Sequence, residues 1–268
     1  MKIAENPAFI SFDNSKSGLI FDDRCHPFYP IAYYNVRNGD APELSEDCSY
    51  YGYVYEGVAL FNAAGRPPQL AAEGMYFSFD GTFCISSSHG ESALILIEVC
   101  RYKGIYPDTA FRAMNVVGGP IEPEGRLKYI DGCTDSLLIA PVKLGDPCLN
   151  HLHFPKGIDQ TQHTHPSHRI GIVAKGSGTC ITPFGDLPLS KGMIFVIKEY
   201  DGETKAEGLD GKLYECGQHA FKTEMVSMDV IAFHPDSDFG ATDTEHPMIN
   251  RTIVQGVSAS RLTKIQTK

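Results

Sequence analysis

The chain has 268 residues, 42% of them hydrophobic, enough for one large domain or two small ones with real cores. Its 23 Lys and Arg stand against 33 Asp and Glu for a net charge of −10, and no Lys/Arg-rich block interrupts that balance. Nucleic acid and anionic membrane surfaces are poor partners for such a chain; with no signal-peptide core and no run of about 18 apolar residues, a cytoplasmic protein is expected.

Short strand-like runs, with 26 Gly and 17 Pro, favour β-structure. In the first half the runs are 51–57 and 58–61, a turn at Gly65, then 73–79 and the apolar run 93–99. Tyr51, Tyr53 and Tyr55 alternate, which predicts one packed face of a strand; with Tyr33, Tyr34 and Tyr50 they offer, alternatively, a sticky face for a homodimer. A short helix is expected around 108–114, and residues 118–125 read as a turn-rich linker. The runs 126–131 and 136–141 look like strands entering a second unit.

The second half repeats the phrases of the first. The run 170–174 ends at Gly176, 179–182 follows, then a turn at 183–186, the stretch Gly192-Met193-Ile194-Phe195, and the late apolar run 228–233. The counterpart of the third phrase is Gly74-Met75-Tyr76-Phe77. This order predicts a duplicated β-barrel, with a first barrel over 1–115, a linker with entering strands over 116–150 and a second barrel over 151–268. One large sandwich fits the same alternation. The eight cysteines are scattered without a CxxC pair, so reduced thiols are expected.

His163-Thr164-His165 carries the chemistry. On an extended strand two residues two apart share a face, and two imidazoles on one face can close on one divalent transition metal. The following run, 169–175, reads as a strand with Gly176-Ser177-Gly178 as its turn.

Taken with Gly157, Gly176 and the later Gln218-His219-Ala220-Phe221, this stretch resembles the first and second motifs of the cupin superfamily, and the duplication resembles a bicupin. The resemblance implies an all-β fold of two tandem double-stranded β-helix (jelly-roll) barrels with few short helices. It implies a metal on His163, His165 and His219. The family's motif carboxylate is absent, since Arg169 or Ile170 stands in its place. Three-histidine sites of that kind resemble those of gentisate-type, β-diketone and thiol dioxygenases. The implied cofactor is one divalent metal, Fe(II) first, with Mn, Ni or Zn as alternatives. The implied function is a dioxygenase acting on a small anionic substrate. A non-redox isomerase, lyase or epimerase and a small-molecule-binding module are the alternatives.

The remaining polar residues are open. Arg169 offers a bidentate clamp for a substrate carboxylate or a structural salt bridge. His168 could act in catalysis, as a fourth ligand or as a base, or lie exposed. His151 and His153 repeat the HxH spacing, facing the site or packing the barrel. Glu203 or Glu215, in an acidic insertion over 199–216, could supply the missing carboxylate, or that insertion could be a lid. His246, Asn250 and Arg251 lie in a late polar segment that could cross the barrel mouth. His26 and His89 read as ordinary surface or turn histidines, and the first half, lacking a histidine pair, reads as a structural barrel.

Overall fold

A computed structural model describes residues 2–88, 90–100, 112–143 and 145–236, plus two short strands at Ile253–Val254 and Val257–Ser258. His89, His246, Asn250 and Arg251 lie outside the described residues. The regular structure of the described residues is strand throughout, apart from one 3-10 turn at Ile130–Gly132. Of the helix expected over 108–114, residues 108–111 are not described and 112–114 are not helical.

The first half is a six-stranded antiparallel sheet with a separate three-stranded sheet. In the large sheet Cys48–Glu56 lies between Ala93–Cys100 and Tyr76–Asp80. The smaller sheet places Val58–Asn62 between Gln69–Ala72 and Cys84–Ser87. The second half follows the same plan. The long strand Arg169–Ile181 first pairs with Ile194–Ile197 and Met228–His234, then turns to pair with Leu187–Ser190 and Ala220–Lys222.

Glycines explain why the two halves share phrases. Gly52 pairs with Phe77 and Gly171 with Phe195, the phenylalanines of the two Gly-Met-x-Phe stretches. A Cβ on Gly52 would sit 2.2 Å from Phe77 Cζ, and one on Gly171 2.7 Å from Phe195 Cζ. Each ring thus lies flat across a strand that only glycine leaves open. Gly57 and Gly176 both take φ of +69°, where the chain bends from the large sheet into the small one, a backbone region that favours glycine.

Three apolar clusters fill the molecule. Phe61, Phe77, Phe79 and Phe83 pack inside the first barrel. Phe154, Phe195, Phe221 and Val230 pack inside the second. Tyr33, Tyr51, Tyr53 and Tyr55 form the third cluster with Ile170, Ile172, Ile231 and Phe233, joining the barrels. The tyrosine stripe is therefore a packed face, buried against the other half. Tyr33 Oη donates to the Gly171 carbonyl across this junction at 3.0 Å.

Two features differ from the sequence expectation. Strands Lys2–Glu5 and Phe9–Phe12, grouped by sequence with the first half, extend the second half's sheet, with Phe9–Phe12 paired to Ile194–Ile197. The four residues Phe9–Phe12 are buried on both faces, so the strand needs a central rather than an edge position. Cys48 and Cys100 were expected as reduced thiols, but they are cross-strand partners joined in a disulfide. Residues directly opposite on antiparallel strands bring their Cβ atoms within bridging reach.

Candidate metal centre

His163 and His219 lie opposite each other in an isolated antiparallel bridge, each N–H donating to the other's carbonyl at 2.9 and 3.0 Å. This bridge ties the segment before the long strand to the one entering Ala220–Lys222. His165, two residues on, completes the group, and one nitrogen from each of the three rings lies within 4.8 Å of the others. Ring centroids are 4.6 to 5.2 Å apart.

Hydrogen bonds select the nitrogen that two of the rings present. His163 Nδ1 donates to the Thr161 carbonyl and His219 Nδ1 to the Gly217 carbonyl, both at 2.9 Å. A carbonyl can only accept, so the proton sits on Nδ1 and Nε2 keeps its lone pair. That is the tautomer and orientation a metal ligand requires. Burial depresses all three imidazoles, His219 to about 3, so each is neutral and able to ligate near pH 7. The donor set, three neutral nitrogens without a carboxylate, fits a borderline divalent transition metal and suits Mg or Ca poorly.

Beside the three histidines is a cavity of about 20 Å³, enough for the centre of a water or a small ligand atom. Its far wall is apolar, including Leu152, Phe154, Phe195 and Phe221; its polar side carries Arg169, His234, Gln160 and Tyr129. Arg169 occupies the place of the missing carboxylate and lines the cavity, while Ile170 turns into the core between the barrels. Arg169 Nη1 donates to Asp236 Oδ1 at 2.7 Å and to the Ser167 carbonyl at 3.2 Å, and Nε is buried without a partner. Both sequence readings of Arg169 thus have a physical basis: one face is held in a salt bridge, another borders the cavity.

The other candidates lie elsewhere. His168 accepts from the Glu199 N–H at 2.9 Å and has Asp23 at 3.4 Å; it does not line the cavity. His26 is 3.2 Å from Glu199 at the same junction. His151 and His153 share with Leu149 the face toward the first barrel, and both rings sit 2.8 Å from Asp229 Oδ1. They pair with a buried carboxylate and are absent from the cavity lining. Glu203 and Glu215 belong to the inserted segment, whose strands Lys205–Glu207 and Leu213–Glu215 form a hairpin; neither reaches the cavity. The segment is anchored near the site by the Tyr200 N–H, which donates to the His165 carbonyl at 2.9 Å.

His234 is the residue that sequence reasoning missed. Val230, Ala232 and His234 are successive same-face positions on Met228–His234, and all three line the cavity. The period-two rule points to it once Val230 and Ala232 are known to face inward. Burial and the Arg169 charge push its imidazole well below the ordinary range.

The strand architecture is an all-β cupin fold. No family model and no curated protein matches the chain by sequence. Among solved structures it is similar to a glyoxylate-induced protein from Pseudomonas aeruginosa, with TM-score 0.62 and 13% identity over 87% of this chain and 90% of that one. It is similar to protein YlbA of E. coli, with TM-score 0.55 and 15% identity over 89% and 95%. Salicylate 1,2-dioxygenase from Pseudoaminobacter salicylatoxidans, in a structure with gentisate adducts, gives TM-score 0.52 and 12% identity over 76% and 68%. At these identities the likeness is one of fold. No helix among the described residues is long and apolar enough to cross a membrane.

Proposed function

We propose that the second barrel is the active site of a metal-dependent oxidoreductase, with Fe(II) on His163, His165 and His219, acting with dioxygen on a small anionic organic substrate in the cytoplasm. The observation that carries this reading is the set of three neutral imidazoles, two of them held in orientation by backbone carbonyls, at the edge of a small, largely apolar cavity. A metal held by three neutral ligands keeps its full double positive charge, which favours an anionic substrate. Iron bound there supplies one-electron and dioxygen chemistry.

The chain's own groups do the rest. The carbonyls of Thr161 and Gly217 hold two rings in a fixed orientation. Phe154, Phe195 and Phe221 keep water from the inner wall. Arg169, with its Nε unpaired, orients the substrate's negative end by charge and hydrogen bonding. His234, kept neutral by burial and the Arg169 charge, offers a hydrogen bond to the substrate at a ring nitrogen.

The presence of His234 and Tyr129 on the cavity wall favours a second reading, non-redox proton transfer with Mn, Ni or Zn as a Lewis acid. Metal analysis of protein purified without chelators, followed by oxygen uptake on small aromatic, diketone and thiol acids, separates the two. Iron with substrate-dependent oxygen uptake supports the first. Turnover without oxygen uptake moves the assignment to the second. Unchanged metal content in His163→Ala would overturn the site.

A further inference from the structure

The first barrel carries a second cluster of metal-ligating groups, at the positions that adjoin the histidine site in the second. Leu96 pairs with Gly52 as Ala232 pairs with Gly171. Counting outward from these pairs, Cys48 corresponds to Ser167, Cys100 to Asp236 and Glu98 to His234. Where the second barrel has a Ser167–Asp236 hydrogen bond, the first has the Cys48–Cys100 disulfide.

Glu98 lies two residues before Cys100 on the same strand and so on the same face. The two sulfurs and a Glu98 oxygen lie within 4.8 Å of one another. Glu98 is 5% exposed, an uncommon setting for a carboxylate. Among the described residues, its side-chain partners are a long contact to Arg24 at 3.9 Å and a 3.3 Å bond from Tyr50 Oη. The group borders an open cavity of about 390 Å³, lined also by Arg24, Ser45 and Asp47, so an ion has access.

We propose that reduction of Cys48–Cys100 turns this cluster into a binding site for a thiophilic divalent cation such as Zn(II), with Cys48, Cys100 and Glu98 as ligands and an open position toward the cavity. A dithiol reductant cleaves the S–S bond, taking up its two electrons and two protons as two thiols and leaving the reductant as a disulfide. Metal binding then releases those two protons as both sulfurs become thiolates. Two thiolates and one carboxylate against one divalent cation leave a single negative charge at a site that borders solvent, with the Asp22–Arg24 pair beside it. Two sulfurs and an oxygen are a donor set that selects zinc-like ions over Mg or Ca. The disulfide form has no thiolate and binds no such ion, so the site is gated by redox state.

Co(II) distinguishes this site from the histidine centre, because only thiolate ligation gives an intense near-ultraviolet sulfur-to-cobalt band. The full chain is titrated with Co(II) before and after reduction by a phosphine, with the disulfide state followed by thiol-alkylation mass spectrometry. Reduced protein is expected to bind one more equivalent than oxidised protein and to show the band. Cys100→Ser should abolish the band, and Glu98→Gln, which keeps both thiols and the side-chain shape, should weaken the extra binding at least about tenfold. Equal stoichiometry in the two redox states, or a band that survives in Cys100→Ser, overturns the proposal. If Cys100→Ser does not fold, the oxidised-against-reduced comparison and Glu98→Gln decide it, and full-strength binding in Glu98→Gln removes Glu98 from the site.

Discussion

The two barrels share a backbone plan and differ in what stands at the mouth. Gly57 and Gly176 begin the equivalent strands of the small sheets, so Phe61 corresponds to Cys180, and their partners Ile85 and Phe221 correspond as well. Two residues earlier, Phe83 stands where the second barrel has His219. Phe83 packs tilted against Phe79 at 4.6 Å and reaches Tyr50, the counterpart of Arg169, at 5.6 Å. One barrel thus fills the histidine position with aromatic packing, while the other leaves imidazoles around a small cavity. A common fold supports either aromatic packing or a histidine cluster at this position, and a few side chains decide which.

The largest test exchanges the residues at the deciding position. His219→Phe gives the second barrel the first barrel's residue. Metal affinity should fall by at least about 100-fold, more than the loss of a supporting group outside the ligand set costs. Circular dichroism should show the fold retained, since the cavity can accept part of the larger ring and Phe221 already packs beside it at 5.5 Å. Stoichiometric metal in the variant would mean that His219 is not a ligand and that the comparison misidentifies the site.

The shared plan is tested at the strand glycines. Gly52→Ala meets Phe77 Cζ at 2.2 Å and the Ile95 carbonyl at 2.4 Å, against 2.7 and 3.0 Å for the equivalent atoms at Gly171. Gly52→Ala should cost about 3 kcal/mol or more, and Gly171→Ala somewhat less, in denaturant melts. Equal and small losses would show that the phenylalanines move aside and that glycine is not what fixes the repeat.

A pH test probes the junction. Burial pushes His168 down to about 4, with the charges of His26, Lys198 and Arg169 adding to it, although Asp23 lies near. Burial also raises Asp23, which weakens its pull on the ring. The folded value lies below the unfolded one of about 6.5. The unfolded chain therefore binds the proton first, and this contribution is lost as pH falls from about 6.5 to about 4. His168→Gln should flatten that part of the stability–pH curve by up to about 3 kcal/mol. Parallel curves for variant and wild type would show that His168 titrates normally.

The repeated phrases and three of the groups at the candidate site were legible because both are local patterns: the Gly-Met-x-Phe phrases, the HxH pair, and His219 before a strand. What it hid depends on distant partners. Alternation placed Tyr51, Tyr53 and Tyr55 on one face but could not say that the face meets Ile170 and Phe233. It likewise put His151 and His153 together without showing that they turn to Asp229. His234 ended an apolar run, and its place in the cavity follows only from register with Arg169–Ile181. Phe9–Phe12 pairs with a strand more than 180 positions on, a contact for which composition has no signal.

The smallest effect tests whether the barrels are coupled at a single point as well as through their apolar junction. Tyr33 Oη reaches from the first barrel to the carbonyl of Gly171, the glycine beneath Phe195 on the cavity wall. Tyr33 is fully buried, so Tyr33→Phe removes a donor without opening a cavity, and the Gly171 carbonyl loses that partner. The expected loss is about 1 kcal/mol, the net worth of one buried hydrogen bond. If the bond only holds the barrels together, metal affinity in the variant stays at the wild-type level while the melt shifts down. If it also sets the Gly171–Phe195 packing, metal affinity falls with stability. A melt unchanged from wild type would leave the junction held by apolar contact alone.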